Sequence, residues 1–113
     1  MTRLLFVLVL VGCNLVEAED VRPLEPVPEE YAGWHAEVEA CLGRSRPFHR
    51  INFYVAATLV LDGVDVGGFY RAPRRITMRE DHVYYPSSVK EELAHYVLRS
   101  GAHPPELLRC KAL

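Results

Sequence analysis

Eight consecutive apolar residues, Leu4 to Val11, follow a short start whose only basic residue is Arg3. A membrane-spanning helix needs about 20 apolar residues, so this run is too short to cross a bilayer. Its position and basic flank fit the hydrophobic region of a secretory signal; the other reading is a buried strand or the start of a helix. As a signal it withdraws residues 1–12 from the mature fold. The chain has 113 residues, enough for one domain at most. With 50% hydrophobic and 25% charged residues it is not a disordered chain. Its formal charge of −2 argues against nucleic acid as a partner, because phosphate binding needs a basic surplus.

Two exits from the apolar run compete. Leu10-Val11-Gly12-Cys13 resembles the lipobox of bacterial lipoproteins. That resemblance implies cleavage after the small Gly12 and lipid modification of Cys13, which would anchor the chain without spanning the membrane. Alternatively, Val16-Glu17-Ala18 offers a small-residue site for ordinary signal cleavage, which would discard Cys13 and release a secreted, soluble protein. The lipobox is favoured because it directly follows the apolar run. Either exit takes the mature chain out of the reducing cytosol. Cys41 and Cys110 are then an even pair in an oxidising compartment, and the expectation is a disulfide. Closing a loop of about 70 residues contributes about 3–4.5 kcal/mol in the chain-entropy model, useful to a domain with a small core. Two unrelated buried thiols are the other reading.

Residues 13–30 read as the lipidated cysteine followed by a tether. Glu17, Glu19, Asp20, Glu25, Glu29 and Glu30 face only Arg22, and Pro23, Pro26 and Pro28 favour extended backbone. Without these acids the remaining domain, residues 31–113, is slightly basic, with 11 Lys and Arg against 9 Asp and Glu. Arg71, Arg74, Arg75 and Arg79 supply much of that surplus and read as a solvated loop.

The periodicity predicts a helix over 29–42. Tyr31, Trp34, Val38, Cys41 and Leu42 make one apolar stripe that places Cys41 on the buried side, His35 on an exposed face, and Gly43 as the stop. Residues 51–61 alternate as strand, Asp62-Gly63 signals a turn, and Val64 and Val66 begin a return strand. Ile76–Met78 and Val83–Tyr85 read as two further short strands. A second helix is predicted over 88–100, with Val89, Leu93, Tyr96 and Val97 inward and Gly101 and Pro104 closing it. Helix, strands, helix indicates a small α+β domain with a short, mostly antiparallel sheet.

Chemistry concentrates on the second helix. Glu91 and His95 are one turn apart on one face, Glu92 lies beside them, and His103 follows beyond the helix end. Residues Val89 to Tyr96 resemble the active-site helix of zincin metallopeptidases, whose motif is His-Glu-x-x-His. Gly101-Ala102-His103-Pro104 and the late Cys110 are similar to small bacterial envelope members of that group. The resemblance implies a small zincin-like domain with zinc as cofactor, His95 and His103 as ligands, Glu92 as general base and a peptide substrate. The chain departs from the motif at Glu91, which stands where the first ligand is a histidine. A carboxylate also binds zinc, and a set of two histidines and one glutamate is a catalytic composition. Glu91 has plain readings too: a capping box with Ser88, or a charge-paired solvated face with His95 and Arg99. The expectation is a lipid-anchored cell-envelope protein with an altered zinc-peptidase site. The rival is a non-catalytic envelope protein that keeps the fold as an interaction domain.

Overall fold

The computed structural model describes residues 6–11 and 14–111; Gly12 and Cys13 of the lipobox lie outside them. In chain order the elements are β1 (Phe6–Val11), β2 (Asn14–Glu19), β3 (Arg22–Pro23), α1 (Glu30–Leu42), β4 (Asn52–Ala56), β5 (Thr58–Leu61), β6 (Val64–Asp65), β7 (Gly68–Arg71), β8 (Arg75–Arg79), α2 (Pro86–Leu98) and α3 (Pro105–Lys111). The α+β class is as expected, but the strands form two sheets, ordered β1-β2-β5-β6 and β3-β4-β8-β7. The first is antiparallel throughout, and the second contains one parallel pair, β4 with β8. Among the described residues no helix is long and apolar enough to cross a membrane.

The long alternating run is two strands, because the chain changes sheets at Ala57. Its N–H donates to the Glu19 carbonyl, and Ala56 is fully buried at the crossing. Asp62 and Gly63 both take left-handed backbone, at φ 51° and 81°, and turn β5 into β6 as their dipeptide signals. The segment read as a tether is extended, but much of it is paired. Val16 and Ala18 of β2 are buried with Ala56 and Leu59 in a small second core, and Arg22–Pro23 adds to the edge of β4. Period-two alternation explains this: Glu17 and Glu19 turn away from the face that Val16 and Ala18 bury.

The main core lies between the helices and the second sheet. Tyr31 and Val38 of α1, Phe53 and Val55 of β4, Ile76 and Met78 of β8, and Leu93 of α2 meet there. Two expectations on α1 change. His35 is buried, because residues 43–50 fold back over it: its Nε2 lies 2.8 Å from the Arg46 carbonyl oxygen and its ring 5.3 Å from Phe48. Cys41, placed by its stripe on the inner side, is exposed at the helix end, whereas its partner Cys110 is buried on α3. The Cys41–Cys110 disulfide is formed, with Cα atoms 5.7 Å apart. It ties α1 to α3, a helix the sequence reading did not anticipate.

Val83–Tyr85 is not a strand. Val83 is buried and accepts a hydrogen bond from the Tyr31 hydroxyl at 2.6 Å, while Tyr84 and Tyr85 are exposed. Helix α2 starts two residues earlier than expected, because Pro86 occupies its first turn, where a missing N–H costs nothing. It ends two residues early as well. Arg99 takes left-handed backbone (φ 56°), its N–H bonds the Tyr96 carbonyl, and the Ser100 N–H bonds that of His95. This is the Schellman pairing, with arginine at the position that glycine usually fills. The reversal sends residues 100–104 back along the helix.

Candidate metal centre

That reversal assembles the site. Glu91 and His95 project from successive turns of α2, and His103 arrives from the returning loop. One ligand atom from each of the three lies within 4.8 Å of the others. His103 Nε2 is 3.1 Å and His95 Nε2 is 3.9 Å from the same oxygen, Glu91 Oε2. Donors held about 2.0–2.2 Å from one tetrahedral ion lie roughly 3.3–3.6 Å apart, so small side-chain rotations bring this group to metal-binding geometry.

Buried His95 is oriented from behind. Its Nδ1 is 2.8 Å from the Ser100 carbonyl oxygen, an acceptor that fixes Nδ1 as the protonated nitrogen and leaves the Nε2 lone pair facing Glu91 and His103. Tyr70 of β7 stacks on the ring at 6.2 Å and 12°, and its own hydroxyl donates to the Pro73 carbonyl oxygen at 2.9 Å. His103 meets His95 edge-on at 4.8 Å. Burial by itself lowers the basicity of His95. The nearby Glu91 and Glu92 carboxylates and the Ser100 carbonyl outweigh that and raise its pKa above the ordinary value. The field at this nitrogen therefore favours positive charge, as a cation site requires.

The plain readings of Glu91 describe this geometry only in part. Ser88 is the third residue of α2 and caps nothing; its Oγ lies 2.8 Å from His82 Nδ1. The Glu91 carboxylate turns instead to the histidines. The charge pairing of Glu91 with His95 is present, at 3.9 Å, but the face is not a solvated one, since His95 is buried, and Arg99 has no ion pair among the described residues. The cluster opens into a cleft of about 580 Å³ between α2 and β7. Glu92, buried, lines the same cleft, and Phe69 and Leu61 form part of its apolar side.

Gly68 faces Glu92 closely enough that a Cβ there would lie 2.9 Å from Glu92 Cγ and 2.8 Å from Met78 Sδ. The remaining histidines do other work: His35 is packed in the core, His82 holds Ser88, and His49 sits exposed on the turn before β4. The arginine cluster is largely solvated, with Arg75 laid on the Tyr54 ring at 3.9 Å and Arg79 paired to Asp81. Sequence reasoning missed Tyr70, Gly68 and the Ser100 carbonyl. A carbonyl carries no residue signature, and the first two stand on a strand distant in sequence from the motif.

In comparisons with protein-family models, curated proteins and solved structures, nothing matches this chain. The site therefore rests on its own geometry.

Proposed function

We propose that the protein is a zinc-dependent peptide hydrolase of the bacterial cell envelope, with a zincin-like arrangement and a lipid anchor on Cys13. The observation that carries this reading is the convergence of Glu91, His95 and His103 in a cleft that also holds a buried carboxylate, Glu92. The donor chemistry fits zinc: two imidazoles and one carboxylate, with one imidazole held in the correct tautomer by a backbone carbonyl. When bound, zinc supplies Lewis-acid activation of water and of a substrate carbonyl.

The chain's own residues supply the rest. Glu92 accepts the proton of the attacking water and returns it to the leaving amine. Tyr70 and the Ser100 carbonyl keep His95 in place, and the apolar side of the cleft takes a substrate side chain. The disulfide supports an extracytoplasmic location. Cleavage after Gly12 would remove β1 and leave β2 paired to β5 along its other edge.

Cleavage of a mixture of unblocked peptides by the purified, zinc-supplied protein, read by mass spectrometry so that internal and C-terminal cuts are both seen, tests the reading. Glu92→Gln should lower the rate at least about 100-fold while zinc content stays unchanged. A wild-type protein that carries zinc yet cleaves nothing, or a Glu92→Gln variant as active as wild type, would refute it.

A further inference from the structure

Arg99 is an unusual residue in this cleft. Among the described residues lining it, which include Glu91 and Glu92, it is the only lysine or arginine. Its guanidinium has no ion-pair partner among the described residues. It also occupies left-handed backbone, where glycine is easiest and a long side chain is a cost (φ 56°). A cation does complement the C-terminal dipole of α2. That would account for an arginine anywhere in the last turn, not for one placed at the strained position on the cleft wall. Leu61, Val66 and Phe69 line the same cleft and give it an apolar part.

We propose that Arg99 receives a substrate carboxylate, so that the site takes peptides with an apolar residue next to a free C-terminal carboxylate. This rests on the hydrolase reading above and names its substrate class. A planar guanidinium pairs with a carboxylate through two parallel hydrogen bonds, which a peptide amide cannot reproduce. The carboxylate end of the chain lies against the end of α2, the apolar side chain packs toward Phe69 and Leu61, and the scissile bond falls over the Glu91, His95 and His103 group. An unblocked C-terminus is then selected over an internal segment.

The test uses N-acetyl-phenylalanine and its carboxamide as probes, with binding to the full protein followed by NMR titration. The acid should bind at least about tenfold more tightly than the amide. Arg99→Asn removes the charge with a residue that accepts left-handed backbone, and should bring the ratio to about one; Arg99→Lys should retain part of it. A bound metal would also attract a carboxylate, so the titrations are run in zinc and again in chelator. The proposal claims the part of the preference that Arg99→Asn abolishes. Equal binding of acid and amide by wild type, or a preference that survives Arg99→Asn, would overturn it. Zinc content measured on the same samples reports separately on the metal reading. Failure of zinc binding with an Arg99-dependent preference intact would refute the hydrolase and keep the carboxylate site.

Discussion

At the scale of single residues, the surroundings of a side chain decide how it behaves more than its type does. His35 and His95 are both buried histidines on helices, yet one is packed against Phe48 with Nε2 at the Arg46 carbonyl, and the other presents a lone pair to a carboxylate. Sequence spacing found the second through its neighbours and misplaced the first, because the loop that covers His35 has no periodic signature. Tyr31 shows the same effect on a proton. Burial first, then the Tyr84 and Glu30 charges, raise the pKa of its hydroxyl well above the ordinary tyrosine value. The folded state therefore holds this proton after the unfolded chain has released it. The stability involved is present in full below the unfolded value of 10.0 and is lost as pH rises above it. Tyr31→Phe should cost about 1 kcal/mol at neutral pH, through loss of the bond to Val83, and should reduce the decline of melting temperature above pH 10.

Among the elements, α2 was the most legible and its two ends the least. The inward stripe of Val89, Leu93, Tyr96 and Val97 is buried as its spacing requires. The start moved to Pro86, because proline suits a first turn, and the end moved to Leu98, because Arg99 accepts a conformation that sequence rules assign to Gly101. That small displacement matters to the site: a helix continuing to Ser100 would carry the Ser100 carbonyl into the helical ladder and away from His95. The strand beside it was not legible as a wall of the site, since β7 begins at the second glycine of a pair and has no alternation. Gly68→Ala tests the fit between β7 and α2. Its Cβ would press on Met78 and Glu92 at less than 3 Å, so the variant should lose about 1–3 kcal/mol in denaturant unfolding.

At the scale of the whole molecule, α+β order was readable from the alternation of periodicities, but the division into two sheets was not. Nothing in the run from Ile51 to Leu61 marks Ala57 as the point where the chain changes sheets; the pairing partners β2 and β8 decide it. The disulfide was readable from cysteine number and the expected oxidising compartment, and it joins α1 to the short helix α3, in which Leu107 and Cys110 are buried. Seven residues of helix are too few to hold themselves in place. Reduction, or the double variant Cys41→Ala/Cys110→Ala, should therefore cost about 3–4.5 kcal/mol and lower the melting temperature markedly, with α3 loosening first in hydrogen exchange. His103 lies on the loop between α2 and α3, so metal affinity should fall with it.

The central claim is that Glu91, His95 and His103 form a metal site. Metal analysis of the purified protein after equilibration with zinc and removal of excess tests it most directly. One zinc per chain, lost in His95→Ala while the variant keeps its fold by circular dichroism, is the predicted result; no zinc retained by the wild-type protein at saturating supply would contradict it.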